Sequence, residues 1–163
     1  MGRAEAGLGD ETKRDLDPQY LEFARGRMKK SQFNGLVGFT VDRLYEGGAV
    51  MSFEVEEHHR QVQNVVHGGV IAALADTAAA LAAYTAVLPG TELVTVELKI
   101  NYLLPVTEGR IEAEGKVLRA GRNFVVAECD VRNAKCALAA KALMTFGAVG
   151  ARSASIANDT KVD

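Results

Sequence analysis

The sequence predicts an α+β domain in which an antiparallel β-sheet wraps around one long central α-helix. Three observations carry that expectation. Residues 70–88 are apolar on every side, with Asp76 the only ionisable group apart from the Tyr84 phenol, and a helix of that kind belongs inside a protein or a membrane. Segments before and after it alternate apolar and polar residues with the period of two expected of half-buried strands. The links between those segments are short and rich in turn residues, which favours antiparallel neighbours over crossover connections.

Each element follows in order. Residues 1–16 form a polar, flexible N-terminal tail. Asp17-Pro18 signals a helix start, and Tyr20, Leu21, Phe23, Ala24 and Met28 give the helix over about 18–30 a partial apolar stripe. Residues 36–45 and 49–55 alternate as strands, joined at Glu46-Gly47-Gly48. Residues 56–66 form a polar loop. The central helix runs from about 68 to 88, and Pro89-Gly90 stops it. In residues 93–103, Val94, Val96, Leu98, Ile100 and Tyr102 alternate with Thr95, Glu97, Lys99 and Asn101, so the two sets are expected on opposite faces. Strands over 110–118, 123–132 and 136–146 complete the sheet, with turn signals at Glu108-Gly109, Ala120-Gly121 and Asn133-Ala134. Residues 17–150 thus make a single domain, and 151–163 a flexible C-terminal tail.

Composition narrows the function. With 163 residues, 48% of them hydrophobic and a net charge of −2, the chain can build one real core and has no electrostatic footprint for nucleic acid. The apolar helix is not expected to span a membrane, because Asp76 near its middle costs roughly 2.5–3.5 kcal/mol on insertion scales and alanine offsets little of that. The first 17 residues are charged and glycine-rich, unlike a signal peptide. Cys129 and Cys136 fit no metal spacing and are expected to be reduced, half-buried and inert, as in a cytoplasmic protein. Glu56-Glu57-His58-His59 has no further ligand at a zinc spacing, so a solvated loop is expected there and no metal.

The chemistry concentrates at the start of the central helix. His67-Gly68-Gly69 opens it, and helix N-termini present unpaired N–H groups to electron-rich ligands. Asp76 is a carboxylate in apolar surroundings, costly unless paired or used. An oxyanion site and a general base have to meet within about 3 Å of the reacting atoms. Asp76 follows Gly68 and Gly69 by eight and seven residues, about 10–12 Å along a helix, so the two cannot meet on one bond within one helix. Two antiparallel copies about a twofold axis would bring each helix start to the other's Asp76, which predicts a composite site and an obligate homodimer. Other readings remain open: His67 as a helix cap, the glycines as close-packing residues, Asp76 as a structural acid, and Thr95 as a surface or interface residue.

His67-Gly68-Gly69, the following Leu74-Ala75-Asp76-Thr77-Ala78 and the strand Val94-Thr95-Val96-Glu97-Leu98-Lys99-Ile100-Asn101-Tyr102 together resemble the PaaI-type (phenylacetic acid degradation) acyl-CoA thioesterases of the hotdog fold. The similarity extends over about residues 36–147. It implies that Gly68 N–H polarises a thioester carbonyl, with Asp76 as general base or nucleophile, and that Thr95 stands where some members carry a water-orienting serine. Gln61 stands where many carry asparagine. It also implies a homotetramer of two dimers, acyl-CoA as substrate, and no cofactor beyond the coenzyme A within that substrate. Gly69 and Asn64, beside the histidine, join the candidate substrate-binding set. Arg119, Gly121 and Arg122 offer two guanidiniums and a close-approach glycine for the coenzyme A phosphates. The alternatives are a non-catalytic acyl-CoA-binding or regulatory protein of the same fold, or a purely structural oligomer. Acyl specificity depends on where Phe39, Phe53, Tyr84, Leu88 and Phe124 fall.

Overall fold

A computed structural model describes residues 14–149 of the chain. Helices α1 (Pro18–Lys30) and α2 (Gln32–Val37) precede strands β1 (Thr40–Tyr45) and β2 (Gly48–Glu54). A 3-10 turn (Glu57–His59) leads to helix α3 (Gly68–Tyr84), and strands β3 (Glu92–Tyr102), β4 (Arg110–Ala120), β5 (Phe124–Arg132) and β6 (Leu138–Val149) follow. The six strands form one antiparallel sheet in the order β1-β2-β4-β5-β6-β3, and α3 packs across one face of it, chiefly over β4, β5 and β2. This is the expected α+β hotdog arrangement.

Small residues allow the helix to settle on the sheet. Ala75, Ala78, Ala79, Ala82 and Ala83 of α3 are buried, along with Ile71 and Leu74. They face Ala113, Ala127, Cys129, Ala140 and Ala142. The closest approach is at Gly115 in β4, where a Cβ would lie 2.6 Å from the Ala78 carbonyl oxygen and 2.7 Å from Ala79 Cα. Only glycine leaves room there for two backbones to cross.

Several local expectations change for physical reasons. Residues 36 and 37 close α2 rather than opening a strand. Ser31 Oγ caps that short helix at Asn34 N–H, and Gly38, with φ of 77°, ends it in the left-handed conformation. Helix α3 stops at Tyr84, four residues short of 88. Just beyond it, Thr85 Oγ1 donates to Ala82 O at 2.7 Å and accepts from Gly47 N–H at 2.9 Å, competing with a further turn. Residues 14–16, expected within the tail, hold the edge of β1: Leu16 N–H donates to Leu44 O and Arg43 pairs with Asp15 at 2.6 Å. The remainder of both expected tails, residues 1–13 and 150–163, lies outside the described residues.

The change that matters most is in β3. Its register against β6 slips between Thr95 and Glu97, so Thr95 pairs with Phe146 and Glu97 with Thr145. A β-bulge inserts one residue and reverses the alternation. Val94 and Val96 therefore lie on the outer face, 48% and 60% exposed, while Thr95 shares the helix side with Leu98, Ile100 and Tyr102. The expected two faces of this strand are wrong on the N-terminal side of the bulge.

Gly115→Val is expected to cost about 3 kcal/mol or more, because two backbones must separate. Gly26→Ala in α1, where a Cβ meets nothing within 4 Å, should instead stabilise by about 0.5–1 kcal/mol. Urea unfolding of both variants measures the contrast.

Candidate active site

The start of α3 is built by a histidine cap. His67, with φ of −61° and ψ of 131°, is the N-cap, and its Nδ1 accepts from Gly69 N–H at 2.9 Å. Its backbone N–H donates to His59 O at 2.8 Å. The capping reading of His67 is thus realised, and it occupies the Gly69 N–H. A Cβ at Gly69 would lie 2.9 Å from His67 Nδ1, so this glycine makes room for the cap. Among the described residues, Gly68 N–H donates to no atom. It is left aimed outward at the positive end of the helix.

Gly68 opens onto a cleft of about 410 Å³ that is also lined by Gln61, Val66, Ile71, Tyr102 and Val106. Gln61 lies on the loop before the helix, its backbone N–H bonded to Val65 O at 2.9 Å. Tyr102, at the end of β3, donates its hydroxyl to Gly68 O at 2.8 Å, and its ring is 3.1 Å from where a Gly68 Cβ would be. Burial raises the Tyr102 phenol above its ordinary range, so it remains a donor. The sequence marked the strand ending Asn101-Tyr102 but gave Tyr102 no role. An aromatic at the helix-facing end of an edge strand was the available signal. Asn64 turns the loop: it has a φ of 61°, and its side-chain oxygen accepts from Arg60 at 3.1 Å.

Two turns further along α3, Asp76 is half-buried among alanines. Thr95 Oγ1 donates to Asp76 Oδ1 at 2.9 Å. The β3 bulge is what puts Thr95 on the helix side of the sheet, where it reaches Asp76 while remaining exposed within the protomer, so a surface or interface position for this threonine stands beside its contact to the carboxylate. Burial holds the Asp76 carboxyl above the usual carboxylate range, and the Thr95 hydroxyl draws it partly back. Asp76 is not part of the cleft at Gly68. The unbroken helix keeps the two about 12 Å apart along its axis.

Arg119, Gly121 and Arg122 fall in a third place. Their turn follows β4, where Gly121 and Arg122 line a recess of about 310 Å³ with Ala86, Leu88 and Thr91 beyond the C-terminal end of α3. Within one protomer the candidate set is therefore spread along the helix: Gly68 with Gln61, Asp76 with Thr95, and the arginine turn. The loop of His58 and His59 is not fully solvated. His59 is 2% exposed, bonds Val37 O and Glu56 N–H through its two ring nitrogens, and packs edge-on against Phe53 at 4.8 Å. It fastens α2 to the segment before α3. No cluster of three metal-ligating side chains occurs among the described residues. Cys129 is fully buried and Cys136 exposed on a turn with φ of 60°, so neither is half-buried; they are unpaired with each other.

The profile of the thioesterase superfamily matches residues 63–140, which hold both Gly68 and Asp76. A putative esterase of Saccharolobus solfataricus is 37% identical over 115 residues, covering 71% of this chain and 81% of that protein. The chain belongs to the thioesterase superfamily. The enzyme class that goes with it is thioester hydrolase. The medium/long-chain acyl-CoA thioesterase YigI of Salmonella typhimurium is 28% identical over 129 residues, covering 70% of this chain and 83% of that one. The solved structure of the PaaI protein of E. coli, from the phenylacetic acid degradation operon, superposes with a TM-score of 0.75 at 23% identity, covering 83% of this chain and 96% of that one. At that identity the likeness is one of fold. No helix among the described residues is long and apolar enough to cross a membrane.

A carboxyl that is harder to ionise in the folded state than in the unfolded state opposes folding once it is charged. Its neutral form is accommodated below the unfolded value near 4, and stability is lost as pH rises through the higher folded value. Asp76→Asn, which can still accept from Thr95, is therefore expected to raise the melting temperature at pH 7–8, the gain shrinking toward about pH 4. Thermal melts of both proteins across that range check it.

Proposed function

We propose that the protein is an acyl-CoA thioesterase whose active site is shared between the two subunits of a homodimer. Water, held by Asp76, gives its proton to the carboxylate as its oxygen attacks the thioester carbonyl carbon. The resulting oxyanion accepts from Gly68 N–H of the partner subunit. When the intermediate collapses, the carbon–sulfur bond breaks and the coenzyme A thiolate takes the proton from Asp76, releasing free acid and CoA. Direct attack by the carboxylate, through an anhydride that water then opens, uses the same two groups. No cofactor is required beyond the coenzyme A of the substrate.

The observation that carries this reading is the pair Asp76 and Thr95: a carboxylate on an otherwise apolar helix, raised in basicity by burial and fixed through one oxygen. Its other oxygen is left for water. A base with a raised pKa accepts a proton more readily at neutral pH. The unpartnered Gly68 N–H supplies the matching donor, and Tyr102 steadies the peptide that follows it. Gln61, on the wall of the same cleft, has an amide able to orient water or carbonyl.

The separation of about 12 Å between Gly68 and Asp76 along the helix supports two antiparallel helices about a dyad. In that arrangement the turn of Arg119, Gly121 and Arg122, beyond the C-terminal end of α3, approaches the partner's cleft and suits the coenzyme A phosphates. Val96, Leu118, Phe124 and Leu143 are 46–60% exposed on the outer face of the sheet, which favours a second association into a tetramer. Unpaired cysteines fit a cytoplasmic setting.

Gly68→Pro removes one N–H at the first helical position, where the extended His67 before it is compatible with proline, and its Cβ, 3.1 Å from the Tyr102 ring, requires that ring to give way by a few tenths of an ångström. Thiol release from a panel of acyl-CoAs should fall by about 10²–10³-fold in Gly68→Pro and by 10²–10⁴-fold in Asp76→Asn. Mixing the two inactive proteins under subunit exchange should restore part of the activity. Exchange without recovery would sink the shared site, and undiminished turnover in Asp76→Asn would sink the mechanism.

The pH profile gives an independent check. Asp76 must be ionised to act, so kcat/KM falls as pH drops through its raised pKa. Thr95→Val removes the one hydrogen bond that lowers that pKa. The acid limb should then move to higher pH, with kcat on the plateau reduced about tenfold.

A further inference from the structure

We infer that the groove between α1 and α3 is the acyl-chain subsite and selects straight, medium-length acyl groups. This rests on the hydrolytic reading of Asp76. The groove holds about 280 Å³ and is walled on one side by Thr77, Ala80, Leu81 and Tyr84 of α3. Across it stand Phe23 and Met28 of α1. Thr77, next to Asp76, lines the near end of the groove, and Ala80 and Tyr84 stand at i+4 and i+8 from the carboxylate, so the groove begins beside it and runs away from it. An acyl group whose carbonyl sits at Asp76 can extend straight into it.

The α1 wall lies outside residues 63–140, the stretch that the family model matches. That helix is lightly held. Only Ala24 is buried, and Arg25 ties it to β1 through Val41 O at 2.9 Å. Phe23 borders the groove and is 62% exposed. An aliphatic tail would cover that surface. The lining on α3 is small at Ala80 and closes at Tyr84, whose hydroxyl accepts from Leu93 N–H at 3.1 Å. From Thr77 to Tyr84 the groove runs about 10 Å, the reach of a medium-length chain. The other residues named for specificity lie elsewhere: Phe39 and Phe53 in the core, Phe124 on the outer face, and Leu88 exposed beyond α3.

The test compares wild type, Ala80→Phe and Phe23→Glu on acetyl-, butanoyl-, decanoyl- and hexadecanoyl-CoA. Calorimetric binding of a non-hydrolysable decanoyl-CoA thioether and the sedimentation mass of each protein accompany it. Wild type should prefer decanoyl-CoA. Each variant should lose about tenfold or more in kcat/KM on decanoyl-CoA and in thioether affinity, with acetyl-CoA turnover within about twofold. Phe23→Glu alters an exposed residue, so it remains informative if Ala80→Phe does not fold. An unchanged chain-length profile in both folded variants would overturn the subsite. So would a change in sedimentation mass in Phe23→Glu, which would make the groove a contact between copies. Thioether binding that depends on Phe23, in a protein that hydrolyses no acyl-CoA, would uphold the subsite while removing the hydrolytic reading. Absence of both binding and turnover would overturn the two together.

Discussion

The approach of α3 to the sheet is the constraint on which everything else depends. Gly115 lets the carbonyl of Ala78 and the Cα of Ala79 come within contact of β4, and a row of alanines extends that closeness along the helix. A helix packed this tightly cannot roll, because each small residue is matched to another small residue below it. Its remaining side is then fixed in direction. Asp76, Thr77, Ala80 and Tyr84 must point away from the sheet's centre, toward β3 and α1. The placement of the carboxylate is thus a by-product of helix–sheet packing.

The same packing explains why a carboxylate is tolerated there. Ala72, Ala73 and Ala80 on α3 around Asp76 are too short to bury it completely and too apolar to solvate it. The carboxyl ends up partly desolvated with one hydroxyl donor, an environment that raises its basicity without forcing it to stay neutral. The histidine at the helix start solves a different problem. A ring nitrogen satisfies one of the terminal N–H groups and so determines which of two adjacent glycines keeps its donor free.

Much of this was legible in the sequence. The all-round apolar helix, its alternating neighbours and the short turns were enough for the sheet wrapped around a helix, because each signal is local and periodic. Asp76 and Gly68 stood out as polar chemistry in apolar context. What escaped was whatever depends on an irregularity. The β3 bulge carries no composition signal, yet it inverts the faces of Val94, Thr95 and Val96. Tyr102 and His59 act through distant partners, Gly68 O and Val37 O. The separation of the arginine turn from the helix start came from folding a linear string of candidates onto a rod with two ends.

Both supports of the chemistry sit on a single strand. Thr95 holds Asp76 and Tyr102 holds Gly68, and both belong to β3, which lies at the end of the sheet with β6 as its only strand partner among the described residues. Edge strands fray before central ones, at a fraction of the free energy of global unfolding. Warming or mild denaturant would therefore silence turnover while the core of α3, β4 and β5 is still intact. The working temperature of this protein is set by the cohesion of one border strand, and whatever clasps that border sets it higher.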